Sequence, residues 1–310
     1  MVPRLPLELV EMIIDDVVAE FDNDDDDDNH DIDNHSSIKA CALVCHSFLP
    51  LCRKHIFASV ALNAQEDSRP SSPTSHDLDH LLSNSPHLAV YIRKVDYHIS
   101  RDDYYEGKYW LFSLFKKLVK LQKLGLLGIK HSRALPGYDL NSSRWKSLPE
   151  RKIFLFLLSH PNLTRICLEN IWVFLLADLA LCVNLKELEI GPGLSCLNNV
   201  GDLWRHYPPT PVMLERLVIN RGNIEPVQEL CIARRPDGKP MIDFSSLKII
   251  TFIFIMASKD DNPDEVDDPD DEVPRELPMT KLVENKRVQF DFKTRVFPKD
   301  HIFKSRHFMF

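Results

Sequence analysis

A short apolar pattern, Leu-x-x-Leu-x-Leu or a close variant of it, occurs six times between residues 92 and 252. Its second half alternates apolar and polar positions, which is typical of a β-strand with one buried face. Apolar runs of helical character precede several copies, at Leu78–Leu82, Leu111–Val119, Ile153–Leu158 and Phe174–Leu181. The apolar residues of the six copies are Ile92/Val95/Tyr97, Leu121/Leu124/Leu126, Leu163/Ile166/Leu168, Leu185/Leu188/Ile190, Leu214/Leu217/Ile219 and Leu247/Ile250/Phe252.

The copies begin 29, 42, 22, 29 and 33 residues apart, and the long second gap contains the polar segment Lys130–Glu150. We interpret that segment as an inserted loop. A unit of one strand and one helix buries its apolar faces only when the next unit stacks on it. Residues 77–257 therefore resemble an irregular leucine-rich-repeat array, an α/β solenoid. A single α/β domain around a parallel sheet would show the same alternation and stays an alternative.

Two shorter apolar stretches precede this region. Pro6 can open the first as a helix, because its fixed φ suits the first turn and its missing N–H would have no partner there. Three- and four-residue spacing places Leu5, Leu9, Met12 and Ile13 on one helical face. The second stretch repeats this pattern with Ile38, Cys41, Val44, Cys45 and Phe48. Two short helices cannot bury so much apolar surface against each other, so we expect part of it to serve another purpose.

These stretches resemble the F-box, the helical module that joins substrate receptors to Skp–cullin–F-box ubiquitin ligases. Leu51–Phe57 resembles the last, basic helix of that family, and the resemblance covers residues 3–60. The residues that match the family motifs Leu-Pro-x-x-Leu-x-x-x-Ile and Val-Cys-x-x-Trp are Leu5, Pro6, Leu9, Ile13, Val44, Cys45 and, in place of the tryptophan, Phe48. The chain would then be α+β overall, with a small helical F-box followed by the repeat-like region.

The resemblance implies a receptor and not an enzyme. The seven motif residues would bind a Skp-type adaptor of a cullin ligase, and the repeat-like region would hold an unidentified protein substrate for ubiquitination. The sequence contains no phosphate-binding loop, no Gly-x-Ser-x-Gly and no His-Glu-x-x-His, and we predict no cofactor. An α/β enzyme with a cryptic active site, or an interaction scaffold outside the ligase system, are the alternatives.

Acidic residues at 22–33 separate the two F-box-like stretches. Like charges repel each other, so we interpret this segment as a solvated loop. A calcium-binding EF-hand needs Gly at its sixth position and Glu at its twelfth, and no frame here has both. The chain has seven cysteines and no Cys-x-x-Cys, which argues for a reducing compartment and against a zinc ribbon. We therefore predict no metal site.

Composition divides the rest of the chain. We predict an F-box at 1–62, a Pro- and Ser-rich linker at 63–76, the repeat-like region at 77–257, an acidic disordered linker at 258–278 and a basic tail at 279–310. Val60 and Leu62 suggest a first strand, and the alternation at 288–292 predicts a last one that caps the array.

The net charge of −8 gives no reason to expect a nucleic-acid partner. Acidic residues interrupt the N-terminal apolar run, so we expect no signal peptide. The longest apolar stretch, Ile171–Val183, contains Asp178 and is too short to span a bilayer. We therefore expect a cytoplasmic or nuclear protein without a membrane partner.

In each Leu-x-x-Leu-x-Leu strand, the residue just before the second apolar position points away from the core. Stacking the units would align Lys94, Lys123, Arg165, Glu187, Arg216 and Ile249 in one column. The basic members Lys94, Lys123, Arg165 and Arg216 are our predicted substrate-binding residues, for an acidic or phosphorylated partner. The alternative is that exposed strand faces simply tolerate Lys and Arg.

Overall fold

A computed structural model of the chain describes residues 6–22, 36–63, 75–99, 110–128, 145, 151–171, 173–197, 211–220, 225–235, 237–257 and 288–297. These residues form a mixed α/β structure around one large parallel sheet. The α-helices are α1 (Leu7–Asp22), α2 (Ser36–Val44), α3 (Leu49–Ile56), α4 (Ser75–Asn84), α5 (Trp110–Lys117), α6 (Arg151–Leu158) and α7 (Glu225–Ile232). Pro86–Val90 and Leu176–Leu181 are 3₁₀ helices.

The large sheet has eight strands, and each lies beside the strand that precedes it in the sheet along the chain. Every neighbouring pair is parallel, so all eight strands run in the same direction. In spatial order the strands are β1 (Ser59–Asn63), β2 (Lys94–His98), β3 (Lys123–Leu127), β4 (Arg165–Glu169), β6 (Glu187–Ile190), β9 (Arg216–Asn220), β11 (Ile249–Ala257) and β12 (Gln289–Phe297). Two small pairs flank it: β5 (Phe174–Leu175) with β7 (Cys196–Leu197), and β8 (Val212–Met213) with β10 (Ile242–Asp243).

The strand predictions are confirmed. All six Leu-x-x-Leu-x-Leu copies enter the sheet, and every one of their apolar positions is buried. The strands expected around Val60 and at 288–292 are β1 and β12, at the two edges of the sheet. The alternation of apolar and polar residues was sufficient to predict these strands, because successive side chains of a strand point to opposite faces and one face of the sheet packs on the core.

Successive strands are joined by the same hydrogen bonds at their amino ends. The acceptor is the carbonyl of the residue that precedes a strand. It accepts two N–H groups of the next strand's segment, one from the first residue of that strand and one from the residue that precedes it. The donor–acceptor distances at these six steps lie between 2.8 and 3.3 Å. The carbonyls that do so belong to Ala58, Arg93, Gln122, Thr164, Lys186 and Glu215.

The helix predictions hold for α4, α5 and α6, but not for Phe174–Leu181. That run is the two-residue strand β5 followed by a 3₁₀ helix, because it is buried on all sides and its apolar residues need no single helical face. The interpretation of Lys130–Glu150 as an inserted loop stays a prediction, because Trp145 is the one residue of that segment that the structure describes. Trp145 lies in that segment and is part of the main core, 1% exposed.

The helical module connects to the sheet without a separate linker. Only Phe57 and Ala58 lie between α3 and β1, and Phe57 packs against the main core. Asn63 ends β1 and Ser75 begins α4, and the residues between them, which belong to the predicted linker at 63–76, lie outside the described residues. The predictions for the acidic segment after Asp22 and for 258–278 lie outside the described residues.

Candidate interaction surfaces

The three N-terminal helices have a small core of their own. Val10 and Ile14, one helical turn apart on α1, are buried against Ile38 of α2 and Cys52 of α3. This inward face lies beside the face that the sequence suggested, since Leu9, Met12 and Ile13 point elsewhere. Among the described residues, the module therefore closes its core without Leu9, Met12 or Ile13.

Several large apolar residues of the module are exposed. Ile13 on α1 is 53% exposed and Val44 at the end of α2 is 68% exposed. Leu9, Met12 and Leu43 are exposed to a similar or greater degree. Large apolar side chains on two neighbouring helices of one small module are typical of a protein-binding surface.

Most of the predicted adaptor-binding residues are accessible. The residues Pro6, Leu9, Ile13, Val44 and Cys45 are exposed, and Leu5 lies outside the described residues. Phe48 differs, because it is half-buried and packs against the module's own core between α2 and α3. Replacing Phe48 would therefore disturb the packing of the module as well as any surface it presents.

Ion pairs join the basic end of α3 to α1. The Lys54 ammonium lies 3.3 Å from Glu11 and 3.4 Å from Asp15, and His55 Nε2 lies 2.8 Å from the Asp15 carboxylate. These groups are partly exposed, so each pair contributes at most about 1 kcal/mol. Their main effect is to fix the orientation of α1, and with it the outward direction of Leu9 and Ile13.

The second surface is the outer face of the sheet. Strand register aligns the predicted column in one row across the sheet: Lys94, Lys123, Arg165, Glu187, Arg216 and Ile249. Two residues further along each strand, a neighbouring row contains Asp96, Gly125, Cys167, Glu189, Val218 and Thr251. The four basic residues that the sequence singled out thus lie on adjacent or nearly adjacent strands.

Acidic neighbours pair with most of this row. The Lys94 ammonium lies 2.7 Å from Asp96, and Arg165 Nη2 donates to Glu189 at 2.9 Å. Glu187 Oε1 lies between two guanidinium groups, 3.5 Å from Arg165 Nε and 3.8 Å from Arg216 Nε. The expected basic column is therefore a mixed row of charges, because the sequence pattern aligned the cations without showing which acids reach them.

Arg165 and Lys123 differ in how available their charge is. Burial lowers the pKa of Arg165, but the hydrogen bond to Glu189 and the charges of Glu187 and Glu189 outweigh it, so the pKa is raised overall. Lys123 is exposed and has no ion pair among the described residues. An acidic partner that binds this row could pair with Lys123 directly. At the other basic residues of the row it would compete with the chain's own carboxylates for the cation.

A buried polar cluster lies inside the fold. The Asp178 carboxylate is 0% exposed, accepts a hydrogen bond from Trp145 Nε1 at 2.7 Å and forms a two-pronged pair with Arg151 at 2.8 to 3.1 Å. Because donors surround the buried carboxylate, its hydrogen-bonding capacity is used inside the fold, and the cluster is not an open site. Sequence reasoning missed it, although the sequence contained two signals, a tryptophan within a polar segment and Asp178 within the apolar stretch Ile171–Val183.

An open groove lies at the amino ends of β6, β9 and β11, with a volume of about 640 Å³. Glu215 stands in it between Lys186, 3.1 Å away, and Lys248. Hydrogen bonds from Lys248 and Lys186 lower the pKa of Glu215. Glu215 pairs with both lysines in the groove, so the groove is not lined by charges of one sign that would bind an ion.

Three cysteine thiols of the α/β region are held in their protonated form. Burial, with nearby carboxylates, raises the pKa of the Cys167, Cys182 and Cys196 thiols, the last to about 12, so they are protonated near neutral pH. Within the described ranges, no group of three or more His, Cys, Asp or Glu side chains could hold a metal ion. No helix in those ranges is long and apolar enough to cross a membrane.

No known protein family and no curated protein matches the chain.

Proposed function

We propose that the chain is a substrate receptor of F-box type. Helices α1 to α3 dock a Skp-type adaptor of a cullin ubiquitin ligase, and the sheet region holds a protein for ubiquitination. The chain itself contributes binding and orientation, and its partners contribute the chemistry. The exposed apolar residues of α1 and α2 are the observation that carries this proposal, because the module already has a closed core and has no internal use for them.

The order of the sheet supports a repeat array of leucine-rich-repeat type as the substrate-holding part. A doubly wound α/β domain reverses its strand order at a switch point, whereas these strands follow the chain from one edge to the other. Asn162 Nδ2 donates to the Val119 carbonyl at 3.0 Å, and Asn184 Nδ2 donates to the Pro161 carbonyl at 2.7 Å. Each asparagine precedes the first Leu of its copy and bonds to the equivalent place in the previous copy, as stacked units do.

Adaptor binding can be tested with a matched pair of variants. Ile13→Asp places a charge on the proposed docking face, while Ile232→Asp places the same charge at the end of α7, where Ile232 is 55% exposed. Because interface energy concentrates in a few apolar anchors, we expect Ile13→Asp to weaken capture of a co-expressed Skp-type adaptor by about tenfold or more. Ile232→Asp should bind as the parent does.

Both variants change an exposed residue, so their circular dichroism and unfolding curves should match those of the parent. Equal adaptor capture by the two variants, or no capture by the parent chain, would remove the F-box proposal.

The substrate surface is tested at Lys123. We place the bound protein on the row that contains Lys94, Lys123, Arg165 and Arg216, with Lys123 as the accessible cation. Lys123→Glu should reduce recovery of ubiquitinated partners while adaptor binding stays at the parent level. Lys152→Glu, at an exposed lysine of α6, is the control. If Lys123→Glu recovers the same partners as the control, the substrate binds elsewhere.

Reversing Arg165 and Arg216 is a poor test of the same idea. A glutamate at either position would face Glu187, and at 165 also Glu189, so like-charge repulsion would destabilise the sheet face without any substrate present.

A further inference from the structure

β12 is the last strand of the sheet and pairs only with β11 among the described residues. It is nine residues long, Gln289–Phe297, nearly twice the length of β1 at the other edge. A long edge strand presents a row of N–H and C=O groups that can pair with another strand.

Alternate residues of β12 direct their backbone groups to opposite sides. Gln289 N–H donates to the Lys248 carbonyl at 2.8 Å, so the odd-numbered residues turn their backbone groups toward β11. The even-numbered residues Phe290, Phe292, Thr294 and Val296 then direct theirs away from the sheet. A strand added at this edge would form its hydrogen bonds with residues of this set.

We propose that the added strand is β12 of a second copy of this chain, paired antiparallel about a two-fold axis at Phe292. Phe292 would then face Phe292 of the other copy as a hydrogen-bonded pair, and Phe290 would face Thr294 on either side. In this register Asp291 lies opposite Lys293 of the other copy, and the two-fold axis repeats that opposite-charge pair. The pair is of the non-hydrogen-bonded kind, in which side chains approach most closely.

The two neighbouring symmetric registers are less favourable. Centring the axis on Asp291 would place two carboxylates opposite each other, and centring it on Lys293 would oppose two ammonium groups. Directly opposite like charges destabilise an antiparallel pair. The charge pattern of β12 therefore favours the register at Phe292 over both of these neighbours.

Aromatic packing favours the same register. Phe292 is 65% exposed, and its ring stacks on Phe252, with ring centres 5.5 Å apart and planes 12° apart. Phe254 stacks beside them at 6.5 Å from Phe292 and is also exposed. Pairing at Phe292 would join the aromatic rows of the two copies and remove apolar surface from water. One strand pair is a small contact, so we expect a reversible dimer that forms at high protein concentration.

Sedimentation equilibrium of the purified chain tests this proposal through charge exchange. The parent should associate to a dimer, and Asp291→Lys or Lys293→Asp alone should weaken the association constant by about tenfold, because each turns two attractive pairs into two repulsive ones. The double variant Asp291→Lys/Lys293→Asp restores both pairs with reversed sign and should dimerise as the parent does.

Recovery in the double variant also shows that neither substitution acts by unfolding the strand. A parent chain that stays monomeric at the highest soluble concentration would overturn the proposal. A double variant no better than the single ones would overturn it as well. The measurement uses no adaptor, so its result is independent of the ligase proposal.

Discussion

At the scale of single residues, two glycines mark places where the backbone approaches closely. A Cβ on Gly128, just after β3, would overlap the backbone carbonyl of Asn170. Gly128 N–H also donates to the Glu169 carbonyl at 2.7 Å, so the two segments are held together. A Cβ on Gly125, within β3, would meet the carboxylate of Asp96, which is the end of a movable side chain.

We expect alanine to have unequal effects at these glycines. Gly128→Ala forces a shift of backbone and should lower the free energy of unfolding by about 1–3 kcal/mol. Gly125→Ala only displaces the Asp96 carboxylate and should cost less than about 1 kcal/mol. Urea unfolding of both variants provides the measurement. Equal losses would show that the space around Gly128 adapts more readily than its contacts indicate.

The buried carboxylate provides a second prediction at this scale. Asp178→Ala leaves the Arg151 guanidinium and the Trp145 N–H without their acceptor inside the fold, and we expect a loss of about 3–5 kcal/mol of unfolding free energy. Asp237→Ala removes an exposed carboxylate that also lies near an arginine, Arg235, and should cost less than about 1 kcal/mol. A mild effect of Asp178→Ala would mean that water enters and satisfies the cluster.

At the scale of elements, a recurrent turn begins most copies of the pattern. The first Leu donates its N–H to the carbonyl three residues earlier, as Leu121 does to Leu118, Leu163 to His160 and Leu185 to Cys182. In the copy before β4 the turn contains His160, whose Nδ1 accepts the Asn162 N–H at 3.3 Å. Burial lowers the pKa of His160 from its ordinary value of 6.5, and a backbone hydrogen bond opposes this only in part.

This turn should therefore weaken in mild acid. The unfolded chain binds the His160 proton at a higher pH than the folded chain does, so stability is complete above about pH 6.5 and falls as the pH decreases through that value. His160→Gln should flatten the pH dependence of unfolding free energy between pH 7 and about pH 5. His87→Gln, at an exposed histidine, is the control. An unchanged slope in His160→Gln would contradict the prediction.

The sequence predicts elements better than it predicts contacts between them. Leu-x-x-Leu-x-Leu fixes which side chains of a strand face the core, so both the strands and the row from Lys94 to Arg216 could be predicted. The pairing of Arg165 with Glu189 depends on where neighbouring strands place their charges, which no local pattern contains. The burial of Trp145 is missed for a similar reason. Its neighbours in sequence are polar, and its partner Asp178 is distant in the sequence. On α1, Val10 and Ile14 face inward because three helices meet there.

At the scale of the whole molecule, each strand of the sheet pairs with the strands next to it. We therefore expect the loss of one strand to destabilise its neighbour and to leave distant strands unchanged. We expect a chain that ends after Ala257, without β12, to keep the amide-exchange protection of β2, β3 and β4. Protection should fall in β11, which becomes the edge. Loss of protection throughout the sheet would indicate one cooperative domain in place of stacked units.

The short junction after α3 fixes the helical module to the sheet. Phe57 packs against the main core, and the Ala58 carbonyl accepts N–H groups from Arg93 and Lys94, so contacts at this junction hold the module to the first strands. Successive strands lie about 4.8 Å apart, so the residues of the charged row lie at increasing distances from the helical module, strand by strand. In the proposed ligase, the strand on which a substrate binds would set its distance from the ubiquitin-transferring enzyme. A partner bound near Lys94 and one bound near Arg216 would then present different lysines to the same enzyme.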